Sequence, residues 1–216
     1  MFVRDRMSQT PITITGDITV IDALNLMKAK NVRHLPVVNK DGRIVGMVSE
    51  KDLLYASPSP VTSLNVWEVR EMLHLLTVNK VMNTKAIAID EGAPLEDAAV
   101  LMSANKISAL PVTREKSLVG IITETDLFKA FLNLLGGNRG GVRITVVVSG
   151  VKGDMAKISN AIFGCGGDIV GLGMNELEEG DNLRWEVAFK IQGASKEKLV
   201  ESIRPFVKKV LDVRDQ

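Results

Sequence analysis

Thiol and imidazole groups are scarce in this chain. A single cysteine, Cys165, stands among 216 residues, so no internal disulfide can form, and a reducing cytoplasm is the natural setting. Histidine occurs only at positions 34 and 74. Two histidines and one cysteine do not make a usual zinc site unaided. Neither histidine lies in the C-terminal segment that holds Cys165, so a nucleophilic thiol would lack its base. Net charge is also small, formally +1, and no strong field recruits nucleic acid or an anionic membrane. No apolar run approaches the roughly eighteen residues of a membrane span. The first residues, Met-Phe-Val-Arg-Asp-Arg-Met-Ser, lack the apolar core of a signal peptide. No full P-loop or dinucleotide fingerprint occurs. No catalytic residue and no metal ligand is assigned, and the chain is expected not to be an enzyme. What remains is an ordinary globular mix, 45% hydrophobic and 25% charged, long enough for one large domain or two small ones.

What is present is a repeat. Gly46 to Asp52, Gly-Met-Val-Ser-Glu-Lys-Asp, returns as Gly120 to Asp126, Gly-Ile-Ile-Thr-Glu-Thr-Asp. In each copy the apolar pair predicts the end of a buried strand, and the hydroxyl residue predicts the start of a helix. Free backbone N–H groups and the positive dipole end at such a junction suit a phosphate. The acid would repel a phosphate, so its better use is to accept hydrogen bonds from ribose hydroxyls. Ser49 with Asp52, and Thr123 with Asp126, therefore suit a nucleotide. The same spacing is also nearly a capping box, in which the acid serves only the helix. Matching contexts favour the first reading. Met7, Ile12, Ile14, Asp22, Ala23, Met27, Leu35 and Pro36 recur at a spacing of 75 as Met82, Ile87, Ile89, Asp97, Ala98, Met102, Leu110 and Pro111. The spacing is 74 at the heptapeptide, one residue being lost from the Asn39-Lys40-Asp41-Gly42 turn.

Each copy reads as β-α-β-β-α, too small to bury much core alone. In the first, Ile12 to Ile14 predicts a strand, Thr19 caps a helix, Leu35 to Val38 and Ile44 to Val48 are strands, and Ser49 to Tyr55 opens a helix. Pro36 argues for an edge or a strand start. Ser57-Pro58-Ser59-Pro60 breaks the chain. Val66 to Leu76 then predicts a packed helix, with Trp67 as packing and His74 on its polar face. Gly136 to Gly141 reads as a flexible linker. Beyond it, strands at 142–148, 168–174, 185–191 and 207–213, with helices at 154–163 and 196–204, give the β-α-β-β-α-β order of ferredoxin-like folds.

Residues 1–135 resemble a tandem pair of CBS domains, on the strength of Asn31-Val-Arg-His-Leu-Pro-Val-Val38, the Gly46–Asp52 heptapeptide and their second copies. Residues 142–216 resemble an ACT domain through element order and Gly153. The whole order is similar to the bacterial acetoin-utilisation CBS–ACT proteins. The expected class is α/β (α+β), with a first CBS domain at 1–56, an insert at 57–80, a second CBS domain at 81–135, a linker at 136–141 and an ACT-like domain at 142–216.

The resemblance implies two clefts about a pseudo-two-fold axis, each able to hold AMP, ADP, ATP or adenosylmethionine as ligand rather than as catalytic cofactor. Carried over, Arg33, His34, Ser49 and Asp52 form one cleft, with Lys85, Ala86, Ile87 and Ile107 walling its base end. Thr123 and Asp126 form the other, walled by Thr10, Pro11, Ile12 and Val32. Only the first has cations at the strand end, since Ser108 and Ala109 replace Arg33 and His34. In the ACT-like part the usual effector stretch reads Gly150-Val-Lys-Gly-Asp154: Gly153 and Asp154 are the candidate effector positions, with assembly as the other role. The expected function is nucleotide sensing by a cytoplasmic regulatory homodimer without nucleic-acid or membrane partners. The alternative is a non-binding scaffold for a metabolic enzyme. The apolar run Leu127 to Leu135 marks a candidate partner surface.

Overall fold

The structure is a computed structural model that describes residues 1–56, 75–179 and 182–215. The chain forms two compact units, Met1–Leu127 and Phe128 onward. The expected insert helix with Trp67 and His74 lies outside the described residues, apart from its last positions.

In the first unit the β-α-β-β-α plan holds in full in the second copy and, with its first strand reduced, in the first. The first copy contains α1 (Val20–Lys30), β2 (His34–Val38), β3 (Ile44–Ser49) and α2 (Glu50–Tyr55), preceded in the chain by β1 (Ser8–Gln9). The second contains β4 (Ile89–Asp90), α3 (Leu95–Asn105), β5 (Ala109–Arg114), β6 (Ser117–Thr123) and the first turn of α4 (Glu124–Leu134), a helix whose remainder, from Phe128, is counted with the second unit. Thr19 caps α1, its hydroxyl accepting from the Asp22 N–H at 3.1 Å. The expected strand at Ile12 to Ile14 is reduced to one bridge, Ile14 to Val37.

Each copy completes its sheet with a segment borrowed across the repeat. Residues 8 and 9 form β1, which pairs not with the first copy but with β6, Ser8 opposite Ile121 and Gln9 opposite Gly120. Reciprocally, Asn83 bridges to Met47 on β3, with N–H···O bonds of 2.8 and 3.0 Å in the two directions. Val3 and Val78, both fully buried, anchor the two crossing segments. Val78 joins the first core with Val20, Ala23, Met27, Leu35, Val37, Val48 and Leu53. The glycine that opens each heptapeptide makes room for the crossing chain. A Cβ on Gly46 would lie 2.9 Å from the Asn83 carbonyl oxygen, and one on Gly120 3.0 Å from that of Ser8.

Pro36 lies in the two-stranded sheet β2-β3, whereas its counterpart Pro111 stands in β5, an inner strand of the order β1-β6-β5-β4. The proline is tolerated because β4 joins the ladder only from Ile89, opposite Val112, one residue past Pro111. A missing N–H there leaves no partner unsatisfied. The second-copy turn dispenses with glycine by placing Glu115 and Lys116 in the left-handed region, at φ 50° and 71°.

The second unit runs β7 (Val142–Val148), α5 (Asp154–Gly164), β8 (Asp168–Glu179), β9 (Asn182–Gln192), α6 (Lys196–Ile203) and β10 (Lys209–Asp215). The sheet order is β10-β7-β9-β8 and every pairing is antiparallel, which is the ferredoxin-like arrangement. Val142, Ile144, Val146 and Val148 alternate inward against Ile158 and Ile162 of α5 and Leu199 and Ile203 of α6. The Gly-rich stretch is pinned rather than loose. The Gln192 side-chain amide donates to the Gly140 carbonyl at 2.8 Å, and a Cβ on Gly141 would meet the Ile191 carbonyl oxygen.

Candidate functional site

Ser49 ends β3 in an extended conformation, φ −103° and ψ 160°, and begins α2. Its backbone N–H and its hydroxyl both donate to Oδ2 of Asp52, at 2.8 and 2.7 Å, while its Oγ accepts from the Asp52 N–H at 3.2 Å. The second copy repeats this: the Thr123 N–H and hydroxyl donate to Asp126 Oδ2 at 2.9 and 2.7 Å. The capping pattern at the acid is therefore shared by both copies, with the full reciprocal box formed in the first. It occupies one oxygen of each carboxylate and, among the described residues, leaves Oδ1 without a hydrogen bond. Capping and ligand binding can thus coexist on one side chain.

The strands bring the rest together. His34 lies opposite Ser49 in the β2–β3 register, and Ala109 opposite Thr123. The carbonyls of Arg33 and Ser108 accept from the first N–H of α2 and α4, at 2.9 and 3.0 Å. A cleft of about 510 Å³ opens here, lined from the first copy by Arg33, His34, Met47, Val48, Ser49, Glu50, Lys51 and Asp52. From the other side come Asn83, Lys106, Ile107, Ser108, Ala109 and Glu124. Its volume is in the range of small-molecule sites.

Of the residues carried over to this cleft, Arg33, His34, Ser49, Asp52 and Ile107 line it, whereas Lys85, Ala86 and Ile87 do not. Those three follow Asn83, whose Oδ1 accepts from the Lys85 N–H at 2.9 Å. Thr10, Pro11 and Ile12 leave β1, with Thr10 exposed in the left-handed region at φ 50°. Val32 follows the α1 cap, its N–H donating to the Met27 carbonyl at 2.9 Å. None of these four, nor Thr123 and Asp126, lines this cleft. Sequence reasoning missed Asn83, Lys51, Lys106 and Glu124. The signal for Asn83 was the recurrence of Met7 as Met82 beside it.

His34 is not the cation that the sequence comparison expected. Its Nε2 lies 2.8 Å from the Ser108 hydroxyl, so the ring bridges the two copies. Burial, aided by Arg33, lowers its pKa below the usual histidine value, against opposing pulls from Asp52, Glu124 and Glu50. At neutral pH the ring is neutral. Below an unfolded-state pKa of about 6.5 the unfolded chain binds the proton more readily, so stability present above that pH is lost as pH falls. Thermal melts between pH 8 and 5 should show the wild type losing more than His34→Gln. Parallel curves would remove the effect.

In the second unit Gly153 precedes α5 at φ 93°, and the Asp154 carboxylate accepts from the Ser149 hydroxyl at 2.6 Å. Asp154 thus ties down the loop that carries Lys152.

The CBS domain profile matches residues 3–59 and 78–133. A CBS domain-containing protein of Dictyostelium discoideum is 32% identical over 136 residues, which are 62% of this chain and 94% of that protein. Among solved structures, a Vibrio cholerae protein assigned by name to acetoin utilization is 33% identical, with 64% of this chain and 95% of that one covered at a TM-score of 0.53. A CBS domain pair in complex with 5′-methylthioadenosine and S-adenosyl-L-methionine is 27% identical, with coverages of 64% and 98% and a TM-score of 0.52. The protein CBSX2 in complex with AMP is 28% identical, with coverages of 61% and 96% and a TM-score of 0.50. With two matched segments, a duplicated fold and the shared cleft, this chain belongs to the CBS domain family and carries a tandem pair.

Proposed function

We propose that the CBS pair is a regulatory sensor that binds an adenosyl ligand, AMP, ADP, ATP or adenosylmethionine, without turning it over. The observation that carries this reading is Asp52: capped on one oxygen, open on the other, at the lip of a cleft sized for a nucleoside. The complexes of related CBS pairs with AMP and with adenosylmethionine support the ligand class. Isothermal titration of the full chain against AMP, ADP, ATP, adenosylmethionine and a guanosine control should show saturable binding of at least one adenosyl compound, with guanosine weaker. The scaffold reading, in which the protein assembles with a metabolic enzyme and binds no nucleotide, draws on the same capping box, since each acid already has a structural duty. No heat with any adenosyl compound would select it.

The setting proposed is cytoplasmic, and no described helix is long and apolar enough to cross a membrane. The C-terminal unit is proposed as ACT-like, sensing an effector near Gly153 and Asp154 or serving assembly. The protein is further proposed to be a homodimer, an idea supported by the exposed apolar residues Phe128 and Leu132 of α4, 66% and 50% accessible, on a surface where a partner would remove them from water. Light scattering at micromolar concentration should return twice the chain mass of 23.5 kDa. A monomer would sink the dimer.

A further inference from the structure

The second unit gathers unpaired positive charge at one end. Lys209 opens β10 opposite Val147, beside the last residue of β7. The chain leaving β7 (149–153) and the chain entering β10 (204–208) therefore emerge side by side, from strands about 4.8 Å apart. The Lys208 N–H donates to the Val147 carbonyl at 2.8 Å and ties them together. With Lys209 these stretches read Ser-Gly-Val-Lys-Gly and Arg-Pro-Phe-Val-Lys-Lys, which hold four cations and no acid. Lys152, Arg204, Lys208 and Lys209 are all exposed. Among the described residues none of them makes an ion pair. Other cations of this unit do: Arg143 and Arg214 share Asp212, and Lys196 holds Asp215. Of the flanking acids, Asp154 accepts from the Ser149 hydroxyl at 2.6 Å, and Glu201 lies a turn back along α6.

Two apolar side chains stand among these cations. Val151 is 62% accessible and Phe206 39%. Both sit on loops of set shape. Gly150 and Gly153, at φ 75° and 93°, bracket Val151 and Lys152, a conformation glycine adopts freely. Pro205 sits in the first turn of the short 3-10 helix Arg204–Phe206, where its ring fixes φ. Loops already shaped lose less entropy when a partner docks.

We infer that this end of the second unit docks an acidic segment of another protein, whose carboxylates meet Lys152, Arg204, Lys208 and Lys209 while an apolar side chain covers Val151 and Phe206. The inference is independent of the adenosyl reading. Charge complementarity selects the class of partner. A broad anionic membrane fits less well. The cross-strand row that holds Lys209 and Val147 continues to Glu186, and a wide surface would meet that acid as well. A nucleic acid fits less well because Phe206 is a single ring, not a run of stacking platforms. A short peptide can use the cations and stop before Glu186.

Fluorescence anisotropy of the full chain tests this with labelled peptides of repeated Glu-Glu-Leu and repeated Glu-Glu-Ser, and with labelled oligo-dT. Co-sedimentation with phosphatidylserine vesicles supplies the membrane arm. Wild type should bind the Glu-Glu-Leu peptide most tightly, and added salt should weaken it, since exposed charges are screened. Lys208→Ser with Lys209→Ser should lower that affinity about 3- to 10-fold, as expected for two exposed charge pairs. Val151→Ser should remove the preference for Glu-Glu-Leu over Glu-Glu-Ser. Lys198→Ser, at an exposed position of α6 outside the two loops, should change nothing. Every substituted side chain is exposed, so the melting curves should overlay that of wild type. A wild type that binds neither peptide, or that prefers oligo-dT or the vesicles, overturns the docking site. So does a loss in Lys198→Ser equal to that of the double variant.

Discussion

Replacing Asp52 by alanine is expected to weaken adenosyl binding about 10- to 150-fold. Hydrogen bonds to a charged group contribute roughly 1.5–3 kcal/mol, which converts to that range of affinity. The same variant should lose about 1 kcal/mol of stability, because Oδ2 of Asp52 also accepts from the Ser49 N–H and hydroxyl in the capping box. Asp52→Asn separates the two roles. Its amide oxygen can still accept from Ser49 and hold the start of α2, but the carboxylate is gone. The expected pattern is near-native melting with weakened binding in the asparagine variant, and loss of both in the alanine variant. If Asp52→Asn binds an adenosyl ligand as tightly as wild type, the carboxylate only caps the helix and the ribose role is lost.

Adding one methyl group to either heptapeptide glycine should destabilise the first unit by roughly 1–3 kcal/mol, the usual cost of overpacking. In Gly120→Ala the new Cβ would lie 2.5 Å from Met7 Sδ and 3.0 Å from the Ser8 carbonyl oxygen. In Gly46→Ala it would lie 2.8 Å from Met82 Sδ and 2.9 Å from the Asn83 carbonyl oxygen. The thioethers can swing aside. The carbonyls cannot do so freely, because the crossing backbone is fixed by its own pairing to Ile121 and Met47. Urea melts should shift in midpoint at constant slope. The two variants should differ in binding: Gly46→Ala displaces Asn83, which lines the cleft, whereas Gly120→Ala displaces Ser8, which does not. Two variants as stable as wild type would mean that the crossing segments do not constrain the sheets.

Much of this architecture was legible in the chain because local chemistry and long-range packing agree. The duplication is printed in Leu-Pro-Val and in the heptapeptides. Thr19 caps α1 because a hydroxyl before an apolar stripe has few better uses. The β-α-β-β-α-β order beyond Val142 followed from period alone. Legibility failed where a tertiary choice overrode the local one. Met7 and Met82 were visible as a repeated pair, but no local property says that each crosses to the other copy. Pro36 argued for an edge or a strand start, but its counterpart Pro111 sits in an inner strand, where the short reach of β4 makes it tolerable. His34 read as a cation beside Arg33 until burial and the Ser108 hydroxyl made the neutral ring the better state. Lys106 was an unremarked lysine until the structure placed it in the wall of the cleft.

The reciprocal exchange also sets a timetable for biosynthesis. The first copy cannot close its sheet until Asn83 has left the ribosome, well after its own strands are made. The opening residues wait longer still, since Gln9 has no partner before Gly120 is synthesised. At roughly 5–20 residues per second, that delay is on the order of ten seconds, during which Val3 and the bare edge of β3 are unprotected. Nascent halves of this protein are thus natural clients for a chaperone, and truncated chains should be cleared or aggregate rather than persist as working single copies.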